Sequence, residues 1–404
     1  MYGKSFPEEW SRVRPRVRLA VIPPKAVSQS INGRLYRTAV GEEALLAGLP
    51  KELFRRFPLH VRHTHQRLNA VVLEIRADRA EEFRRFLDWA GFPNEAVTRV
   101  YPLLKESVPL IGVPNLWNAG FTGKGVRVAI LDTGIDRQHP DLKNRIAAYR
   151  NFTRFKSEDT VGHGTHCAGI ICGGGKVYRG VAPGVELFCG KVIDEQGGES
   201  DDVVAGMSWA ASQGAKIISL SLGGPGNPAD LMCRECDALA KDGVTVVIAA
   251  GNEGPAAETI GSPGCAVSAI TVGSVDKNGQ LAFYSSRGPV RMGRKRIHKP
   301  DLLAPGGGVV TEGKAKCPYT TGIVSAKSAK MPTDACDRGK GYTRMSGTSM
   351  AAPHIAGLVA LFLEMDPQLK GPEAIKKRLR KNCRSLGLTA DEQGYGLIKM
   401  DNDG

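Results

Sequence analysis

Several things are scarce or missing in this chain of 404 residues, and each absence removes a class of function. Aromatic side chains make up only 6% of it and are not interleaved with basic residues in any patch. The formal charge of +14 therefore reads as a thinly spread, solvated basic surface, and no nucleic-acid partner is expected. No apolar run is read as long enough to span a bilayer, and residues 1–18 alternate polar and basic side chains without the apolar core of a secretion signal. A cytoplasmic protein with no membrane partner is the expectation. Nine cysteines, an odd number, fit no small disulfide framework, so free thiols in a reducing compartment are expected. The first apolar strand is followed by Asp132-Thr133-Gly134-Ile135-Asp136, where a dinucleotide site would need Gly-X-Gly-X-X-Gly.

What is abundant is glycine. The 49 glycines cluster at 173–175, 197–198, 223–224 and 306–308, as expected of loops that bring backbone close to something. Residues 1–106 lack that density. A strand-like 70–75, an amphipathic 80–89 and a second strand-like 96–101 give them the rhythm of a small α+β domain. His60, His63 and His65 within it read as surface histidines before they read as a metal site. Residues 101–114, with three prolines, read as an extended linker, and the domain boundary is placed near Glu106.

Beyond Gly125 the pattern becomes near-continuous apolar strands at 126–131, 185–193, 215–222, 244–250 and 269–275. Helical patterns at 201–213 and 229–241 separate some of them. Such alternation predicts an α/β fold with a mostly parallel, doubly covered sheet in residues 107–404, its functional groups at the carboxyl ends of strands.

Four polar residues occupy such places. Ser349 lies in Gly347-Thr348-Ser349-Met350-Ala351-Ala352-Pro353-His354, where Pro353 predicts a helix beginning near the serine and an outward N–H able to meet an oxyanion. Asp132 ends the first strand, at the sheet rim; a lone Asp there is ordinarily a turn or cap residue. His163 sits at a predicted helix start in Gly162-His163-Gly164-Thr165-His166-Cys167. His166 gives a His-X-X-His pair that nothing completes into a zinc site, so no metal is assigned. Asn252 follows the strand at 244–250 and is a turn former unless its amide reaches the oxyanion. Cys233-X-X-Cys236 falls in a helical pattern with no partner pair and reads as ordinary thiols.

Together, Ile130-Leu131-Asp132-Thr133-Gly134, His163-Gly164-Thr165-His166, Ser221-Leu222-Gly223-Gly224, Ala250-Gly251-Asn252 and the serine segment resemble the subtilase family of serine proteases, most of all its intracellular bacterial members. The resemblance covers residues 107–400 and implies Ser349 as nucleophile, His163 as general base, Asp132 as its orienter and Asn252 as oxyanion donor. It implies protein or peptide substrates that add a strand beside Ser221, Leu222, Gly223 and Gly224. Gly223, Gly224, Ala249, Ala250 and Gly251 would wall a roomy, mostly apolar pocket, with Glu253 at its rim. It also implies that residues 1–106 are a propeptide and intramolecular inhibitor, making the chain a self-processed zymogen. The alternative is a catalytically silent or permanently self-inhibited peptide-binding scaffold. No cofactor is required. Calcium is possible, although residues 172–180 lack the oxygen ligands of the tight calcium loop in secreted members. The long, lysine-rich 306–342 departs from the family pattern and reads as a lid or a disordered insertion.

Overall fold

The computed structural model describes residues 16–21, 30–31, 34–35, 55–57, 59–65, 70–90, 94–96, 107–309, 317, 319 and 321–400. The chain forms two compact units, Met1–Val100 and Tyr101–Gly404. In the first, β1 (Arg16–Val21), β2 (His60–His65), β3 (Ala70–Arg76) and β4 (Asn94–Ala96) form an antiparallel sheet in the order β2-β3-β1-β4. Helix α1 (Ala80–Trp89) buries Phe83 and Leu87 with Phe57, Leu73 and Ile75, so its amphipathic spacing translates directly into a small core. The side chains of His60, His63 and His65, and residues 97–106, lie outside the described residues.

The second unit is built on nine strands: β5 (Arg127–Asp132), β6 (Ile146–Asn151), β7 (Glu186–Lys191), β8 (Ile217–Leu220), β9 (Thr245–Ala249), β10 (Ile270–Val275), β11 (Leu302–Pro305), and, after an insertion hairpin of β12 (Ile323–Ala326) and β13 (Tyr342–Met345), β14 (Cys383–Arg384) and β15 (Leu397–Ile398). Their order is β14-β15-β11-β10-β9-β8-β5-β7-β6, and only the edge pair β14/β15 is antiparallel. Both faces are covered. Val128 and Ile130 of β5 point into one core, and Ala129 and Leu131 into the other, with α2 (His163–Cys172) and α5 (Thr348–Met365) on the first face and α3 (Ser200–Ser212) and α4 (Leu231–Lys241) on the second. Later strands extend the sheet on both sides of β5, so the carboxyl end of β5, where Asp132 stands, is the switch point at which such sheets hold ligands.

Three expectations need correction. Residues 107–114 are not extended: Ser107–Leu110 and Val113–Asn118 are short helices that bury Val108, Ile111 and Val113, and their prolines lie in first turns, where the missing N–H has no acceptor to lose. Helix α5 is long and apolar enough to cross a membrane by length and composition, yet 78% of it is buried, because it threads between the sheet and α2. The described part of the insertion is ordered. β12 and β13 pair antiparallel and lie along α2, with Ser325 Oγ donating to the His166 carbonyl at 2.8 Å and Ser328 Oγ to that of Asp159 at 2.6 Å. A side chain at Gly169 would strike Ser325 and Ala326, so this close approach requires glycine.

Two of the nine cysteines, Cys317 and Cys336, form a disulfide within that insertion, while the other seven are free. Cross-linking removes closure entropy from the unfolded chain. For a separation of 19 residues, Cys336→Ser is expected to lower stability by roughly 3 kcal/mol. The check is the urea midpoint of unreduced wild type against the variant; coincident midpoints would sink the expectation.

Candidate active site

Asp132 is at the sheet rim but fully buried, shielded by the loop that follows it. Its Oδ1 accepts from Thr133 N at 2.7 Å and from His163 Nδ1 at 2.7 Å. Buried Lys191 supports that loop, donating to the Thr133 carbonyl at 2.8 Å while paired with Asp194 at 2.8 Å. With Nδ1–H committed to the carboxylate, His163 keeps the lone pair on Nε2. Burial alone would lower the imidazole's pKa; the Asp132 charge, aided by Cys167, overcomes this and holds it well above the ordinary 6.5.

A residue that the sequence reading missed organises the start of α2. Asp159, buried, accepts from Gly162 N at 2.8 Å, Thr165 N at 2.9 Å, Thr165 Oγ1 at 2.5 Å and Thr133 Oγ1 at 2.8 Å. One carboxylate thus satisfies first-turn donors of the helix that carries His163 and grips the residue next to Asp132. Its sequence signal was an acid four positions before the histidine, at the distance of a helix entry. Gly162, at φ +79°, turns the chain into the helix. His166 faces away: its Nε2 hydrogen bonds to the Ile323 carbonyl at 3.1 Å, and burial pushes its pKa down to about 3.

Helix α5 begins at Thr348, so Pro353 is its sixth residue and not part of the first turn. The N–H that proline lacks is the one that would have bonded to the Ser349 carbonyl. That carbonyl instead accepts from Ser221 Oγ at 2.8 Å and Cys167 Sγ at 3.3 Å, avoiding an orphaned acceptor that costs about 1–3 kcal/mol. In return, Ser349 Oγ donates to the Ser221 carbonyl at 3.2 Å. The serine is thereby clamped to the residue that follows β8, and among the described residues no hydrogen bond joins its hydroxyl to His163.

Asn252 follows β9, and its Oδ1 accepts from Thr348 N at 2.9 Å and Thr348 Oγ1 at 3.1 Å. Because a backbone N–H can only donate, the amide orientation is determined, and Nδ2 is the free donor. Ser221, Leu222, Gly223, Gly224, Ala249, Gly251, Asn252 and Ser349 all line one groove of about 470 Å³, together with Ala250, Glu253, Gly261, Ser262 and Gly264. Glu253 is occupied in part by Ser286, whose Oγ donates to its Oε2 at 2.9 Å. Gly223 and Gly224 are exposed; the Gly224 backbone is already paired with Ser262, so of the two it is Gly223 whose backbone can meet a ligand. If Nδ2 serves a developing oxyanion, Asn252→Ala should reduce kcat by roughly 10²–10³-fold with KM little changed. A matching rise in KM at constant kcat would assign Asn252 to ground-state binding instead.

The loop of residues 172–180 packs on neighbouring charged side chains. The Arg145 guanidinium packs against Gly174, and the Asp141 carboxylate beside Gly175 already accepts from Tyr342 OH at 2.7 Å.

A carboxylate-held imidazole, a hydroxyl at a helix mouth and an amide donor are gathered beside the groove, the set of groups that serine endopeptidases use. The chain belongs to the subtilase family, whose model matches residues 123–396. It is 38% identical over 301 residues to serine protease AprX of Bacillus subtilis (strain 168), an alignment that covers 68% of this chain and 64% of AprX. It is 36% identical to the major intracellular serine protease of the same organism, covering 66% of this chain and 77% of that one. Among solved structures, proteases from Pseudoalteromonas arctica PAMC 21717 match with a TM-score of 0.60 and 28% identity, covering 72% and 91% of the two chains.

Proposed function

We propose that the chain hydrolyses peptide bonds in proteins through an acyl-enzyme, with Ser349 as nucleophile, His163 as general base and then acid, Asp132 as its orienter, and Asn252 Nδ2 with Ser349 N–H as oxyanion donors. The observation that carries this reading is the 2.7 Å bond between His163 Nδ1 and Asp132 Oδ1 beside the groove that Ser349 lines. Substrate lies along Leu222, Gly223 and Gly224 as an added strand. Ser349 Oγ leaves the Ser221 carbonyl, gives its proton to His163 Nε2 and attacks the scissile carbonyl. The oxyanion forms toward Asn252 and the first-turn N–H of Ser349, which has no carbonyl one turn earlier to take it. His163 then protonates the departing amine, and water resolves the ester by the same path in reverse. Every step uses side chains and backbone of this chain.

The small residues of the groove wall support broad, apolar-leaning selectivity, with the Glu253 carboxylate at the mouth. The α+β architecture of the first unit supports a role for residues 1–106 as a propeptide and intramolecular inhibitor removed by the enzyme itself. A cytoplasmic location is supported by the seven free cysteines and by the relative named intracellular, while the Cys317–Cys336 disulfide runs against it. The test is intact mass over time for wild type and Ser349→Ala, each with and without a serine-directed phosphonate. Labelling of the wild type alone, with loss of about the first hundred residues, supports the whole reading. Labelling without shortening leaves a protease whose N-terminal unit is permanent; neither event would mean a silent or permanently inhibited scaffold.

A further inference from the structure

Behind the groove, on the side away from Ser349, two free thiols face each other. Helix α4 starts at the N-cap Asp230, which accepts from Cys233 N at 3.0 Å, and turns Cys233 into the second core. The chain returns through Gly261, Ser262 and Gly264, all groove residues, to Cys265. Cys233 Sγ lies 3.3 Å from Cys265 Sγ and 3.6 Å from Ser262 Oγ. A disulfide needs its sulfurs about 2.05 Å apart, so only a small closure separates the pair from a bond. Cys236, one turn further along α4, joins no cluster of three close metal-ligand atoms among the described residues, which leaves a dithiol and not a metal site.

The position of the pair gives it a consequence. Ser262 exchanges two backbone hydrogen bonds with Gly224, both 2.9 Å, and Cys265 N donates to the Gly261 carbonyl at 2.9 Å. The wall that faces substrate is therefore one short turn from Cys265, while Cys233 belongs to a helix anchored on the sheet. We infer that Cys233 and Cys265 form a reversible disulfide that ties the pocket wall to α4 and changes which residue is accepted before the scissile bond. The inference rests on the proposed assignment of this groove as the substrate pocket.

Both sulfurs are buried, so the oxidant must be small, and hydrogen peroxide is the one we name. Either thiol can donate to the other; with Cys233 S–H as the donor, the bond favours the Cys265 thiolate and lowers its pKa. The thiolate attacks a peroxide oxygen, the O–O bond breaks, and protonated hydroxide leaves as water, giving a sulfenic acid at Cys265. Cys233, deprotonated, attacks that sulfur; the S–O bond breaks, the second water leaves, and the S–S bond forms. Two electrons pass from the thiols to peroxide, and a dithiol reductant reverses the change.

The experiment uses the full chain, wild type and Cys265→Ser, with Cys233→Ser as a second variant should the first fold poorly. Each is treated with hydrogen peroxide, mapped by non-reducing peptide mass spectrometry and assayed on substrates with Phe or Ala before the scissile bond. The expected result is a 233–265 cross-linked peptide in the wild type and a fall in its Phe-to-Ala ratio of kcat/KM by at least about threefold, reversed by dithiothreitol. The ratio in the variants should not move. Both carry Cys167 and the Cys317–Cys336 disulfide, so effects at those sites cancel in the comparison. No cross-link in native wild type, or a cross-link with an unchanged ratio, overturns the inference. Phosphonate labelling of the reduced samples separates the two readings: labelled protein without a cross-link condemns only the disulfide, whereas unlabelled protein condemns the proposed function.

Discussion

Ser349→Ala should lose about 10⁶-fold in kcat while still binding peptide, because the strand edge at Leu222, Gly223 and Gly224 does not involve the hydroxyl. That magnitude is the one known for a subtilisin itself, a member of the same family, and not a quantity obtained from these distances. The mutation also removes the donor to the Ser221 carbonyl, a partly buried neutral hydrogen bond of about 1 kcal/mol, so stability should change little. Paired measurements of kcat and of the affinity of a non-cleavable peptide decide the matter. Residual turnover within tenfold of wild type would mean that another group attacks the carbonyl.

Asp132→Asn should cost roughly 10⁴-fold in kcat, since an amide no longer fixes His163 with its lone pair on Nε2. Its pH dependence has a definite sign. In the wild type the carboxylate holds the imidazole's pKa above 6.5, so His163 stays protonated, and useless as a base, until the pH passes that raised value. Removing the charge leaves burial in control, which disfavours the cation. The acid limb of kcat/KM should therefore move to lower pH even as the whole profile drops. A limb that stays in place would mean that the rate reports some other group.

The buried parallel strands were legible because each is a nearly uninterrupted apolar run, and β5, β7, β8, β9 and β10 appear within a few residues of the expected positions. β6 was not legible. It is half exposed at the sheet edge, and Tyr149, Arg150 and Asn151 break any apolar pattern. β11 is four residues ending in Pro305, and proline argues against a strand when only composition is in hand. The residues of the site could be read because each sits in its own motif. Asp159 could not, because its work is done by a carboxylate in a polar loop, where acids are commonplace. Cys265 escaped for a related reason: the partner of Cys233 is brought near by the fold and has no fixed spacing in the chain. The effect of Pro353 depends on which carbonyl it deprives, and that requires knowing where α5 begins.

The hairpin of β12 and β13 has a bearing on how this enzyme could be altered. β12 is fastened to the helix of His163, while β13 runs into Ser349 with only Ser346, Gly347 and Thr348 between them. The pairing of Ile323 with Met345 is thus a ruler laid between His163 and Ser349. New sequence spliced into the far end of the hairpin, between Ala326 and Tyr342, leaves the ruler intact, so that end is the place to graft a binding loop. A deletion of one residue within either strand would slide the scale by one notch and turn every side chain of that strand over, misaligning two groups that the rest of the fold holds in place.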